Sequence, residues 1–105
     1  MQFARVLGNV VCTRKDDKMP REKLLLLQPL DISWKDKGTP LVGVDAVGAG
    51  AGEVVLIVSG SSARQTKLTE GTPVDCTVMA IVDYVEKDGE TVFDKYKTKV
   101  PPAAQ

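Results

Sequence analysis

Apolar residues along the chain fall in short runs rich in aliphatic and β-branched side chains, and turn-forming residues separate these runs. Helical periodicity is nearly absent, so the pattern predicts an all-β chain. Gly8 stands in the middle of the first run, and a glycine inside a strand predicts a bend or bulge, as at the corner of a small barrel. The runs predict strands at residues 3–14, 23–30, 41–47, 53–59, 74–86 and 91–96.

These elements favour a small closed barrel. Residues 60–66 offer helix-capping side chains followed by helix formers, which predicts one short helix between the fourth and fifth strands. Asp88 and Gly89 predict a tight hairpin turn near the end. We therefore expect residues 1–105 to form one domain, a five-stranded OB-like barrel with one short helix and a C-terminal hairpin. Residues 97–105 are expected to form a flexible tail.

Several of the predicted strands carry apolar side chains on both faces. In residues 23–30, Leu24 and Leu26 alternate with Leu25 and Leu27, and residues 54–58 and 78–82 show the same surplus. A lone barrel needs only one apolar face per strand, and the chain has no helices to cover a second face. The pattern favours burial of the surplus face against other copies of the chain. The alternative is a barrel wrapped by its own loops and tail.

The composition excludes several kinds of site. The chain has no histidine, which removes the commonest general base and every Ser–His or Cys–His pair. The 14 basic and 14 acidic residues cancel, so there is no net field to attract nucleic acid or an anionic membrane. No run approaches the ~20 apolar residues of a membrane helix. Two cysteines, Cys12 and Cys76, lie in apolar runs and predict buried free thiols, whereas a thiol enzyme would need one of them exposed.

The segment Gly48-Ala49-Gly50-Ala51-Gly52 has the residue types of a nucleotide-binding loop without its spacing. Its third glycine is one position early for G-x-G-x-x-G, and a predicted strand follows where a helix should begin. Small residues let backbones approach closely, as they do at a tight bend or near a symmetry axis.

The polar residues near this segment suggest structural roles. Ser61 and Ser62 are expected to cap the short helix. Arg64 is either an interfacial partner of a carboxylate, with Asp45, Glu53, Asp75 and Asp83 as candidates, or a plain surface residue. Asp45, Asp75 and Asp83 lie in or beside apolar strands, which favours buried or interfacial hydrogen bonding by these residues over paired-carboxylate hydrolysis.

The quoted runs, taken together, resemble one known family. The segments are Ala4–Lys15 (ARVLGNVVCTRK), Lys23–Leu30 (KLLLLQPL), Val44–Leu56 (VDAVGAGAGEVVL), Gly60–Gln65 (GSSARQ) and Ala80–Asp83 (AIVD). In this order, over roughly residues 2–84, they are similar to the EutN/CcmL family, the pentameric vertex proteins of bacterial microcompartment shells. The combination of V-D-x-V-G-A-G-x-G-E with G-S-S-A-R is the specific part of the resemblance.

The resemblance implies a structural, non-enzymatic protein in the bacterial cytoplasm, without cofactors or metals. Its expected partners are four further copies of itself and the hexameric proteins that build most of the shell. The residues expected near the central axis are Gly48, Ala49, Gly50, Ser61 and Ser62, and those expected at subunit contacts are Leu25, Leu27, Glu53, Arg64 and Asp83. The alternative function for an OB-like barrel is single-stranded nucleic-acid binding, which needs a basic groove and aromatic stacking platforms.

Overall fold

The structure, a computed structural model, describes residues 1–60, 63 and 75–97. The extended elements in this part of the chain are all β-strands, as the hydrophobic pattern predicts, and Gly60 and Ala63 have a 3₁₀-helical conformation. The predicted short helix and the predicted tail fall outside the described residues, apart from Gly60, Ala63 and Lys97. The strands are β1 (Gln2–Val10), β2 (Leu24–Pro29), β3 (Leu41–Asp45), β4 (Val54–Ser59), β5 (Cys76–Ile81), β6 (Tyr84–Lys87) and β7 (Glu90–Asp94).

Five of the strands close into a barrel in the order β1-β2-β3-β5-β4, which confirms the predicted five-stranded barrel. Neighbouring strands pair antiparallel except β3 and β5, which are parallel. Each barrel strand therefore pairs with two neighbours, although β3 and β5 meet over only two residue pairs, Val44 with Thr77 and Asp45 with Val78.

The barrel interior is filled by small and branched aliphatic side chains. Leu25 and Leu27 are fully buried there, together with Ala4, Val6, Ala49, Val55, Ile57, Cys76 and Val78. Both side chains therefore belong to the core of a single chain, and the expected role of Leu25 and Leu27 at subunit contacts stays a prediction. Strand alternation instead places Leu24 and Leu26 on the outside, where they remain partly exposed.

Gly8 marks a register shift between β1 and β2, which confirms the predicted bulge. Before the shift Val6 lies opposite the buried Leu27, and after it Gly8 lies opposite Leu26. Because directly opposed residues share a face of the sheet, the shift moves the even positions of β1 from the inside to the outside. Val10, opposite Leu24, thereby joins the outer surface.

The predicted fifth strand, 74–86, is divided into two elements. The barrel strand β5 ends at Ile81, and β6 pairs only with β7 as a separate two-stranded sheet. The hairpin turn lies at Asp88 and Gly89, both with positive φ (54° and 79°), as the sequence predicts.

The hairpin covers part of the barrel's outer face. Phe93 is buried against Val54 and Val82, which also face outward. Trp34, from the loop after β2, lies between Phe3 and Phe93 with ring-centroid distances of 5.0 Å to each. The alternative of a barrel wrapped by its own chain is therefore correct for this side of the barrel. The outer face of β2 and β3 is left partly exposed.

The first strand ends four residues before its predicted boundary. Its last pair is Val10 with Leu24, the first residue of β2, so residues beyond Val10 have no partner strand. Val11 and Cys12 are consequently exposed, and the prediction of a buried thiol is wrong for Cys12. Cys76 is buried as predicted, and burial raises the pKa of its thiol to about 11. Within the described residues, no helix has the length and apolar character needed to cross a membrane.

Candidate assembly surfaces and the glycine loop

The loop between β3 and β4, residues 46–53, is held at its start by Asp45. One carboxylate oxygen of Asp45 accepts hydrogen bonds from the backbone N–H groups of Val47 (3.0 Å) and Gly48 (2.9 Å). The Asp45 side chain is only 2% exposed, so its lone pairs have to be satisfied by the protein. This confirms the predicted hydrogen-bonding role of Asp45.

Lys23 supplies the remaining polar contacts at this end of the loop. Its ammonium group donates to the carbonyl of Ala49 at 3.1 Å and lies 3.9 Å from the second oxygen of Asp45. The sequence reasoning missed Lys23. The only feature of the sequence that could have identified Lys23 is a positive charge directly before an apolar strand.

Glu53 holds the other end of the loop. Its Oε1 accepts a 2.7 Å hydrogen bond from the backbone N–H of Gly50, and its own N–H donates to the Gly50 carbonyl at 3.2 Å. Backbone hydrogen bonds between Val6 and residues 52 and 53 tie the same turn to β1. The two carboxylates of the V-D-x-V-G-A-G-x-G-E motif are therefore loop-fixing groups.

The loop presents mainly backbone and small side chains to the solvent. Gly48 and Gly52 have φ of 78° and 87°, a conformation that side chains other than glycine rarely adopt. Gly48 is exposed and Gly50 half-buried, which leaves both accessible to a neighbouring chain. Ala49 differs from these glycines, because its side chain is fully buried in the barrel core.

The side chain of Lys95, a residue not singled out from the sequence, contacts both Glu53 and Asp83. The ammonium group of Lys95 lies 3.2 Å from Asp83 and 3.9 Å from Oε2 of Glu53. The hydrogen bond to Asp83 raises the pKa of Lys95. Lys95 thereby links the hairpin to the barrel, and it gives both predicted interface carboxylates a partner within one chain. Ser61, Ser62 and Arg64 lie outside the described residues.

Two partly exposed apolar areas remain on the outside of the described part of the barrel. One, the β2–β3 face, consists of Val10, Leu24, Leu26 and Val42. The other, the N-terminal groove, is an open depression of about 560 Å³ lined by Met1, Gln2, Phe3, Leu30, Asp31, Ile32, Lys37 and Leu56. Among the described residues, no group of three or more acidic or thiol side chains is arranged to hold a metal ion.

The family model described as "Ethanolamine utilisation protein EutN/carboxysome" matches residues 1–83. The chain belongs to the EutN/CcmL family. The match ends directly after the barrel strands, at residue 83, so the hairpin lies beyond the residues that the family model covers.

Curated EutN/CcmL relatives cover nearly the whole chain. The microcompartment shell vertex protein EutN of Salmonella typhimurium is 44% identical over 95 residues, which is 90% of this chain and 96% of the relative. The carboxysome shell vertex protein CcmL of Gloeobacter violaceus is 42% identical over 99 residues, covering 90% of this chain and 95% of that protein.

Solved EutN/CcmL structures share the fold. Gloeobacter violaceus CcmL superposes with a TM-score of 0.86 at 40% identity, covering 92% of this chain and 100% of that one. The GrpN pentameric microcompartment shell protein from Rhodospirillum rubrum superposes with a TM-score of 0.73 at 40% identity, covering 83% of this chain and all of that one.

Proposed function

We propose that this chain is a structural shell protein whose homopentamers occupy the vertices of a bacterial microcompartment in the cytoplasm. The observation that carries the proposal is the match to GrpN, a pentameric shell protein, at 40% identity over its full length. Hexameric shell proteins are the expected neighbours of each vertex. Hexagonal units alone tile flat or rolled layers, and fivefold units supply the corners that close them.

The disposition of the carboxylates supports a structural role. Asp45 and Glu53 are occupied by backbone N–H groups, and Asp83 by Lys95. A general acid or base needs a free proton-transfer position facing a substrate. The exposure of Cys12 meets one requirement of a thiol enzyme, but the chain has no histidine to activate that thiol.

Most of the aromatic side chains that nucleic-acid binding would need as stacking platforms are packed within the fold, and only Tyr84 and Tyr96 are exposed. Phe3, Trp34 and Phe93, three of the five aromatic residues, pack against one another. Rings buried in this way are not available as platforms for base stacking. The balanced charge provides no compensating attraction to phosphates.

Native mass spectrometry of the purified chain tests the proposal. We expect a species of five copies of the 11.3 kDa chain at low micromolar concentration. Coexpression with a hexamer-forming shell protein then tests the vertex role: closed polyhedra are expected with this chain, and open sheets or tubes without it. A chain that is monomeric in the first experiment, or that leaves the second unchanged, would contradict the proposal.

A further inference from the structure

Arg5 is a charged residue buried on the outside of the barrel wall. On β1 it stands between Ala4 and Val6, which both belong to the core, so strand alternation directs the Arg5 side chain outward. The side chain is nevertheless only 7% exposed. A charge removed from water in this way needs hydrogen-bond acceptors and a counter-ion from the protein.

One edge of the Arg5 guanidinium lacks acceptors. Its Nε and Nη2 atoms are buried, and neither has a hydrogen-bond partner among the described residues. These two nitrogens carry N–H bonds on the same side of the planar group, and their spacing matches the two oxygens of a carboxylate. This edge of Arg5 is therefore shaped to accept a carboxylate.

Asp36, in the loop after β2, is the acidic residue closest to this edge. Its Oδ1 lies 3.8 Å from Nη2 of Arg5, and in the described part of the chain no other carboxylate forms an ion pair with Arg5. Charge-assisted N–H···O hydrogen bonds are about 2.7–2.9 Å long, so the two groups stop about 1 Å short of a hydrogen bond. The Asp36 side chain is 34% exposed, which leaves it free to approach.

The loop that carries Asp36 is a folded turn, and we call residues 31–38 the strap. The N–H of Asp31 donates to the carbonyl of Lys35 at 2.9 Å, and Oδ1 of Asp31 accepts from the N–H of Lys35 at 3.1 Å. The N–H of Lys37 donates to the carbonyl of Pro29 at 2.9 Å, which attaches the strap to the end of β2. Because these bonds link the two sides of the turn, we expect the strap to move as a unit with Asp36.

Trp34 at the tip of the strap has a backbone conformation that its surroundings must hold. Its φ is 66°, in the left-handed region that bulky residues rarely adopt. Such a conformation persists where neighbouring contacts fix it, and the contacts in this case are the rings of Phe3 and Phe93. Ring packing thus fixes the tip of the strap, while Arg5 and Asp36 remain as its second attachment to the barrel.

The strap also forms one wall of the N-terminal groove. Ile32 and Lys37 of the strap line the groove, and Phe3, which contacts Trp34, lines it from the barrel. Lys37 follows Asp36 directly in the chain. A movement of Asp36 toward Arg5 therefore displaces residues that shape the groove.

We propose that the strap closes on the barrel through a paired hydrogen bond between the Asp36 carboxylate and the Nε–Nη2 edge of Arg5, and that this closure sets the position of the groove wall. Closure satisfies both buried nitrogens and brings the counter-ion into contact. The device lies within one chain, so it does not rest on the proposed pentamer.

Amide hydrogen exchange of the full-length protein tests the closure. Asp36→Asn keeps the shape of the side chain without its charge, and Arg5→Lys keeps the charge without the paired edge. We expect either change to speed exchange of the Trp34 and Lys37 amides roughly tenfold, because a charge-assisted contact no longer holds the strap. Asp17→Asn, at an exposed acidic residue outside the strap, is the matched control and should exchange like wild type.

A double-substitution cycle shows whether the two residues act on each other. In an Arg5→Met background the partner edge is gone, so Asp36→Asn should produce no further acceleration of strap exchange. Arg5→Leu repeats the cycle should Arg5→Met misfold. Wild-type exchange rates in Asp36→Asn, or an equal acceleration with and without Arg5, would overturn the pairing.

Methyl NMR tests the link to the groove. Met1 and Ile32 both line it, and we expect their methyl signals to shift in Asp36→Asn but not in Asp17→Asn. A strap that exchanges faster while these signals stay in place would overturn the link. Native mass spectrometry of the same samples reports the pentamer separately, so a failure of the proposed function is distinguishable from a failure of this inference.

Discussion

At the scale of single residues, the glycine loop depends on two carboxylates that accept backbone hydrogen bonds. Asp45 serves residues 47 and 48 at one end, and Glu53 serves residue 50 at the other. Buried acceptors and donors of this kind cost free energy when one partner is removed, because the group left behind has lost both water and protein contacts. The loop's shape is therefore set by acidic side chains as much as by its glycines.

Replacement of the buried carboxylate should destabilise the fold. Asp45→Ala leaves the N–H groups of Val47 and Gly48 without their acceptor and removes the ion-pair partner of Lys23, at a cost of about 1–3 kcal/mol. Urea unfolding measures the change, with Asp17→Ala, at an exposed acidic residue, as the control. Equal stabilities of the two variants would show that the carboxylate does not fix the loop.

A charge on the loop should weaken assembly where the loop lies near the fivefold axis. Gly50→Asp brings five like charges together in the ring, whereas Gly50→Asn has the same shape without the charge. The glycine has space for a side chain, since an added Cβ would lie 3.5 Å from Oε1 of Glu53. We expect native mass spectrometry to show pentamer loss for Asp, partly restored by salt, and little for Asn. Equal pentamer stability in both would place the loop away from the axis.

At the scale of elements, the hairpin acts as an outer layer for one side of the barrel. Its buried Phe93 packs on Trp34, and Lys95 bridges to Glu53 in the barrel and Asp83 at its end. Exposed ion pairs of this kind contribute little on their own, so the aromatic contact is the main attachment. The hairpin therefore depends on packing against the loop that carries the only tryptophan.

Truncation of the buried Phe93 ring should detach the hairpin from the barrel without unfolding the barrel. Phe93→Ala removes the surface on which Trp34 packs, and large-to-small changes at buried aromatic residues cost about 3–5 kcal/mol. We expect a red shift of the Trp34 fluorescence with retained far-UV circular dichroism. Tyr96→Ala, at a residue that is 82% exposed, should leave the emission unchanged. An unshifted spectrum for Phe93→Ala would show that the hairpin does not shield the indole.

The sequence predicted the barrel from short β-rich runs separated by turn residues, because a small chain of such strands without covering helices is best closed on itself. It could not assign inside and outside, since Leu24–Leu27 are equally apolar and only the register decides which of them is buried. The bulge was visible in Gly8, but its effect on the face of Val10 required the partner strand. Lys23 and Lys95 were missed because their partners are distant in sequence, and an ordinary surface lysine has the same local pattern.

At the scale of the whole molecule, the absence of histidine and the buried Cys76 shape the pH dependence of stability. No side chain in the sequence has an ordinary pKa between 6 and 8, so the free energy of unfolding should be nearly constant between pH 6 and 8. The pKa of Cys76 rises from 9.0 to about 11 on folding, mainly through burial. The unfolded chain then loses this proton first, and stability falls as pH rises from about 9 to 11.

The comparison of wild type with Cys76→Ala isolates this contribution. The two-unit rise in pKa corresponds to about 2–3 kcal/mol of stability that is present below pH 9 and lost by pH 11. Urea titrations at a series of pH values measure it, and the difference between wild type and variant cancels the titration of lysine and tyrosine. Parallel pH profiles for the two chains would exclude a titrating thiol.

The bulge at Gly8 divides β1 into a half that packs in the barrel core and a half that lies on the outer surface. Positions 4 and 6 point into the core, so substitutions there are penalised through folding of the single chain. Positions 8 and 10 point outward, where the same change leaves the fold intact and acts only on contact with another molecule. Tolerance to substitution along β1 should therefore change at Gly8. Positions after it can vary together with the molecule that they contact, whereas positions before it are constrained by the core.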